Sequence, residues 1–243
     1  SSSLTSCPSE DIINSNHKAN KHTYRTYHTM PSKEEVATMM ESHLVHEKGF
    51  LNQVDADTYY ARLDTGLPWD KYSWVPDTPP LKQLVYYYDL QERTLRPNPL
   101  LEELIQLVET RYNTKSVVTW CNKFRDSNDM IDWHQDQYDM SLHVLSFGAN
   151  RPVEIRPRKN PWLSDPTRPA TRTLDLKHGD LYHWTAEFDR TMEHRVPPAA
   201  VNGPRISILV LGYPIDSNND PGRLQAKTMA PVYTGQCSKC QGF

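Results

Sequence analysis

His134 and Asp136 stand two residues apart in Ile131-Asp132-Trp133-His134-Gln135-Asp136-Gln137-Tyr138-Asp139. On an extended strand, that spacing sends both side chains out of the same face. An imidazole and a carboxylate projected together supply two members of the 2-His-1-carboxylate set that holds non-haem Fe(II) and leaves coordination positions open. Spacing alone is not decisive, because a chain with ten histidines meets an H-x-D pair almost by chance, and a rival exists at His178-Gly179-Asp180. The glycine between those partners reads as a turn ahead of a strand rather than as strand interior. The first pair also has a downstream sequel: His194 as a third ligand candidate, then Arg205-Ile206-Ser207 leading into an apolar strand.

Iron held by only three side chains keeps room for a bidentate 2-oxo acid and O2. A dicarboxylate such as 2-oxoglutarate carries a planar distal carboxylate, which a forked and permanently charged guanidinium matches. Arg205 suits that role. It is followed by Ile206, Ile208, Leu209, Val210 and Leu211, which argue for burial, and a buried arginine needs an anionic partner. Ser207, two residues on, faces the same way and can donate a hydroxyl.

The elements that must position these groups are read from pattern. Ser32-Lys33-Glu34-Glu35 is a capping box, opening a helix on Val36, Met39, Met40 and Leu44 with Gly49 as its stop. Residues 67–76 are aromatic and rich in turn formers, Leu84–Tyr88 reads as a strand, and Asn98-Pro99 opens a second helix through Leu100, Leu101, Leu104, Leu107 and Val108. Beyond Val117 the pattern is strand-like at 116–124, 140–147, 152–157, 172–176, 180–184 and 205–213. Helices followed by a run of strands, without a βα alternation, predict antiparallel sheets, and two of them packed as a jelly roll would place inward ligands in a central cavity. The domain plan is a polar N-terminal arm over 1–30, one domain over 31–215 (helices and lid to 115, jelly roll from 116), and a tail over 216–243.

The 243 residues carry a net charge of −3 with a pI near 6.4, so no overall basic field announces a polyanionic partner. A local cationic track is still possible, and Arg151, Arg156, Arg158, Lys159 and Arg168 form the densest run. No apolar run approaches the roughly 20 residues of a membrane span, and no apolar core of a secretory signal is present. Four scattered cysteines do not make a disulfide scaffold. These features predict an intracellular monomer, cytoplasmic or nuclear, without membrane attachment. Cys237 and Cys240 form a lone C-x-x-C, too few ligands for tetrahedral zinc, and His17, His22 and His28 read as part of a solvated polar arm.

From about residue 67 to 213 the chain resembles the AlkB family of Fe(II)/2-oxoglutarate dioxygenases. The matching pieces are Leu67-Pro68-Trp69, Asn122-Lys123-Phe124, Trp133-His134-Gln135-Asp136 with Asp139, and Leu145-Ser146-Phe147-Gly148-Ala149. Leu176-Lys177-His178-Gly179-Asp180-Leu181, Glu193-His194-Arg195-Val196-Pro197 and Arg205-Ile206-Ser207 complete the series. The resemblance implies a mainly β fold with flanking helices, a double-stranded β-helix (jelly roll), with iron on His134, Asp136 and His194 and co-substrate contacts from Asn122 and Arg205, beside Ser207 as read from its spacing. It makes His178-Gly179-Asp180 a structural turn. It implies coupling of 2-oxoglutarate decarboxylation by O2 to C–H hydroxylation, which on an N-methyl group ends in demethylation. A methylated nucleic-acid base would have to be flipped and stacked on aromatics, with Trp69, Tyr72 and Trp74 as lid candidates and Asp139 beside them. A small molecule or peptide is the alternative substrate. Two departures stand out: Phe124 occupies a position where the family usually has Tyr, and Leu211 one where it usually has a second Arg.

Overall fold

The Ser32 capping box forms as the sequence requires, with Glu35 N–H donating to Ser32 Oγ (3.1 Å) and Ser32 N–H to Glu35 Oε2 (2.7 Å). It opens α1 (Lys33–His43), which ends earlier than its apolar period suggests. The residues Leu44–Glu47 instead form β1, because pairing with a later strand (Leu44 opposite Trp184) outweighs local helical periodicity. Gly49, at φ +62, turns the chain afterwards. The structure, a computed structural model, describes residues 31–73, 79–90, 94, 96–136, 139–158, 167–199 and 203–215. The polar arm, Trp74, Lys159, the tail and its two cysteines lie outside the described residues.

Helix α2 (Gln53–Gly66) follows, capped by Asn52, whose side chain accepts from Asp55 N–H. Sequence pattern does not announce this helix, because only Ala56 and Leu63 are buried along it, too sparse an apolar stripe to show a period. After β2 (Leu84–Asp89) comes α3 (Pro99–Tyr112), with Asn98 capping and Pro99 in its first turn. The remaining elements are β3 (Thr114–Phe124), β4 (Ile131–His134), β5 (Ser141–Gly148), β6 (Arg151–Pro157), β7 (Arg172–Leu176), β8 (Leu181–Trp184), α4 (Ala186–Thr191), β9 (Met192–Val196) and β10 (Arg205–Pro214).

These strands make two antiparallel sheets, β1-β8-β5-β10-β3-β2 and β4-β9-β6-β7. Alternation along β10 shows how they stack. Ile206, Ile208 and Val210 join a core with Ala56, Leu63, Leu101, Leu104, Ile105 and Val108, between the larger sheet and helices α2 and α3. Leu211 joins a second core with Val144, Val153, Ile155, Leu174 and Leu176, between the two sheets. Arg205 and Ser207 share parity with Leu211, so they face the inter-sheet space. Gly148, at φ +84, turns the chain out of β5; a Cβ there would lie 2.5 Å from the Pro204 carbonyl oxygen. Among the described residues no helix is long and apolar enough to cross a membrane.

On the helix-covered face, His143 of β5 is 2% exposed, stacked on His183 (centroids 5.2 Å apart, 22°) beneath the Tyr112 ring. Burial, with the neighbouring His183, holds its imidazole down to about 3, against an ordinary 6.5. The folded protein therefore refuses a proton that the unfolded chain accepts. Stability is complete above about pH 6.5 and falls as pH drops towards 3, with a slope from this group approaching about 1.4 kcal/mol per pH unit. Urea melts at pH 4.5, 5.5 and 6.5 should show a shallower acid loss for His143→Asn than for the parent; parallel losses would mean the proton uptake lies elsewhere.

Candidate metal and co-substrate site

Strands β4 and β9 lie side by side with His134 directly opposite His194. The two rings sit 4.1 Å apart between centroids. Asp136 follows the end of β4, its Oδ1 3.7 Å from His134 Nε2 and its Oδ2 3.8 Å from His194 Nε2. Those separations are too long for hydrogen bonds. They are short enough for one ion, bonding at roughly 2.0–2.2 Å, to reach both members of each pair. The three potential ligand atoms fall within 4.8 Å of one another.

Each donor is prepared for a cation. His134 Nδ1 lies 2.7 Å from the Asp132 carbonyl, which keeps the ring proton there and leaves the Nε2 lone pair facing the cluster. A third of the His134 side chain is reached by solvent, yet the crowded shell around the ring still disfavours the imidazolium, and burial lowers its pKa. His194 is more enclosed, and burial followed by His134 holds it well below its ordinary value. Both rings are neutral and free to ligate. Burial raises the Asp136 carboxyl to about 7, and its Oδ2 has no hydrogen-bond partner. An orphaned buried carboxylate oxygen between two neutral imidazoles fits a divalent metal.

Supporting contacts join the segments that carry the ligands. Asp136 N–H donates to Asp189 Oδ1 (3.2 Å), and Gln135 Nε2 donates to the carbonyls of Asp189 (2.6 Å) and Met192 (3.0 Å). The Trp184 ring packs edge-on against His194 at 4.7 Å. Gln135, Asp189 and Trp184 are not marked by sequence pattern; a buried carboxylate in the first turn of a six-residue helix leaves no periodic signal.

The larger sheet supplies the opposite wall. In register across β3, β10 and β5, Asn122, Ser207 and Ser146 form one row, and Phe124, Arg205 and Gly148 the next. Arg205 is 1% exposed. Its Nε donates to Ser146 Oγ (3.1 Å) and its guanidinium lies over the Phe124 ring at 5.6 Å. Neither Nη1 nor Nη2 has a hydrogen-bond partner, and burial pushes the guanidinium down to about 10. A buried fork with two idle donors fits a carboxylate. Gln83 Nε2 and Trp120 Nε1 both donate to Asn122 Oδ1 (3.3 Å each), leaving the Asn122 amide hydrogens for a ligand. A divalent ion, one ligand carboxylate, one guanidinium and a bound dicarboxylate would leave this cavity electrically neutral, which a low-dielectric interior demands.

The structure thus brings His134, Asp136 and His194 together on one sheet, and Asn122, Ser207 and Arg205 together on the other. Tyr72 meets the edge of Trp120 (5.4 Å, 84°), with Tyr87 on another edge of that ring (5.4 Å, 65°), next to Asn122. Trp69, the other described lid candidate, is anchored at the end of α2. Its Nε1 donates to the Leu63 and Asp64 carbonyls at the end of α2, and Lys123 covers its ring. Asp139, expected near the substrate, sits exposed at φ +52 in an ion pair with Arg190. The rival pair is structural: Gly179 adopts φ +84, and Asp180 accepts from Gly49 N–H, Lys177 N–H and His46.

No family profile matches the chain. Over 166 residues, 61% of this chain, it is 28% identical to a rat protein named alpha-ketoglutarate-dependent dioxygenase alkB homolog 3, of which it covers 56%. It is 26% identical over the same share to the human protein of that name, covering 58% of it. The chain therefore spans little more than half the length of these relatives. Among solved structures, a prolyl hydroxylase from Trichoplax adhaerens, in complex with a hypoxia inducible factor peptide fragment, matches 74% of this chain and 87% of its own (TM-score 0.52, 10% identity). The non-haem alpha-ketoglutarate-dependent epimerase SnoN matches 74% and 82% (TM-score 0.50, 15% identity). At those identities the likeness speaks for the jelly-roll fold alone.

Proposed function

From a chain similar in sequence to AlkB homolog 3 proteins and similar in fold to 2-oxoglutarate oxygenases, we propose that it couples oxidative decarboxylation of 2-oxoglutarate to hydroxylation of a substrate C–H bond. One observation carries the reading: a fully buried guanidinium with two idle donors faces, across the inter-sheet space, a three-ligand cluster whose carboxylate oxygen is equally orphaned. His134, Asp136 and His194 would hold Fe(II), which when bound supplies the O2-activating redox chemistry. The protein's own work is placement. Arg205 takes the distal carboxylate, Ser207 and Asn122 supply further donors, and the neutral His134 and His194 leave the cluster one negative charge. The apolar inter-sheet core borders the cavity and limits the water that reaches Arg205 and His194.

For the substrate we infer an N-methylated nucleic-acid base, hydroxylated to a hemiaminal that releases formaldehyde. The AlkB-like resemblance supports this class, and the Tyr72–Trp120–Tyr87 cluster makes the surroundings of Asn122 aromatic. A specific observation favours the second reading, a small-molecule or peptide substrate. The cationic run expected to track phosphates is mostly internal. Arg151 and Arg156 are 0% exposed. Arg151 donates to the carbonyls of Asp126 and Asp129, Arg156 and Arg168 pair with Glu193, and Arg158 donates to Gln135. Charge reversal at Arg156 should therefore unfold the protein rather than reveal a binding defect.

The test incubates Fe(II)-loaded protein and 2-oxoglutarate with methylated oligonucleotides and methylated metabolites, following succinate and formaldehyde together. Oligonucleotide binding should weaken log-linearly with salt, with a slope of roughly −0.7 to −0.9 per phosphate contact. Absence of oligonucleotide binding at low salt, alongside turnover of a metabolite, would move the assignment to the second reading.

A further inference from the structure

Phe124 and Leu211 are two places where the resemblance leads one to expect polar co-substrate contacts, and both are apolar here. Phe124 is 0% exposed beneath Arg205, and Leu211, 1% exposed, belongs to the inter-sheet core. Arg205 nevertheless keeps two idle donors, and a single guanidinium leaves part of a carboxylate's hydrogen-bonding capacity unmet. A hydroxyl that could meet it stands on another strand. Tyr182 of β8 pairs in register with Val144 of β5, which pairs with Leu209 of β10. It lies on the same inward face as Ser146 and Arg205, one strand over and one same-face step from Ser146, and two strands over and two such steps from Arg205. Its ring is 4% exposed and fixed against Trp184 (5.1 Å, 42°), which in turn holds His194. Its hydroxyl forms no hydrogen bond among the described residues, yet it lies within electrostatic reach of both Arg205 and Asp136. The hydroxyl on this locked ring thus feels both the guanidinium and the ligand carboxylate.

We propose that Tyr182 is a co-substrate-binding residue, its hydroxyl donating to the distal carboxylate of 2-oxoglutarate alongside Arg205 and supplying a polar group that Phe124 and Leu211 do not provide. The assignment rests on the 2-oxoglutarate reading of the site. Burial holds the phenol well above its ordinary range, so it keeps its proton and serves as a donor, never as a competing anion. An alternation of Leu181, Tyr182, His183 and Trp184 in a short strand reads in sequence as core, which is why Tyr182 carries no signal there.

Calorimetric titration of 2-oxoglutarate into the Mn(II)-loaded chain tests this without turnover. Tyr182→Phe should weaken 2-oxoglutarate binding about 10- to 100-fold, the value of one hydrogen bond to a charged group. Affinity for Mn(II), and for oxalate, which chelates the metal but has no distal carboxylate arm, should stay at the parent value. Unchanged 2-oxoglutarate affinity overturns the assignment, and so does an equal loss for oxalate or Mn(II), which would place Tyr182 in support of Asp136. Should the variant fail to fold, 3-fluorotyrosine at position 182 decides: its fluorine resonance should move on adding 2-oxoglutarate and not on adding oxalate, and an unmoved resonance overturns the assignment. A parent protein that binds Mn(II) but not 2-oxoglutarate refutes the underlying function instead.

Discussion

Asp136→Ala is expected to abolish tight binding of Fe(II) or Mn(II) while leaving the metal-free fold at least as stable as the parent. The loss should exceed about 100-fold in metal affinity, because the carboxylate is the one anionic donor among three ligands and lies between two neutral rings. The stability follows from the same burial. With its folded pKa raised to about 7 against an ordinary 3.8, the carboxyl favours the folded state only while protonated. As pH rises from about 4 to 7 the unfolded chain ionises first and stability declines, so at neutral pH the ionised group opposes folding. Alanine removes that opposition. Manganese binding followed by electron paramagnetic resonance, with urea melts of the metal-free proteins, measures both halves. Retained metal binding in Asp136→Ala, with loss in Asp180→Ala, would transfer the site to the rival pair. Asp180 already spends both oxygens on Gly49, Lys177 and His46, so its alanine variant should destabilise the fold and leave the intrinsic metal affinity of folded protein unchanged.

The ligand pair is legible in sequence because a two-residue spacing on a strand translates directly into a shared face, and the β10 arginine because its apolar neighbours announce burial. Distances between β4 and β9 are not legible: whether His194 meets His134 depends on antiparallel register between segments far apart in the chain, which no local pattern encodes. The polar run around His194 looks like a loop because Glu193 and Arg195 find their partners, Arg156 and Glu154, across the sheet. The same cross-strand pairing hides the arginines. A run rich in Arg reads as a solvated or phosphate-binding face, yet Arg156 stacks on Trp133 at 3.7 Å and is buried by it. Helix α1 stops short of its apolar pattern for the converse reason: Leu44 continues a helical period but gains more as the partner of Trp184. The anchoring of Trp69 is equally hidden, because nothing in its turn-rich segment announces that its Nε1 donates to the Leu63 carbonyl near the end of α2.

Arg205→Leu should separate binding from stability in opposite directions. In the metal-loaded protein it removes both idle donors and the only charge that Arg205 offers the distal carboxylate. Truncating one partner of a buried, charge-assisted contact costs on the order of 2–5 kcal/mol, which corresponds to a fall in 2-oxoglutarate affinity from about 30-fold to several thousandfold. In the metal-free protein the guanidinium is desolvated, touching Ser146 Oγ and the Phe124 face with no anion on either Nη. Replacing such a group by an apolar side chain of similar reach is neutral to stabilising, by up to about 4 kcal/mol. The two effects meet in the ligand-dependent shift of Tm, because a ligand that binds only the folded state stabilises it according to its concentration over Kd. The parent should show a clear rise in Tm on adding 2-oxoglutarate to the Mn(II) form, and Arg205→Leu should start as high or higher and show none at the same concentration. Arg205→Lys, which restores the charge without the fork, should recover only part of the shift. A variant that melts several degrees below the parent, yet keeps the full 2-oxoglutarate shift, would mean that Arg205 braces the sheet and that the co-substrate's distal carboxylate is held elsewhere.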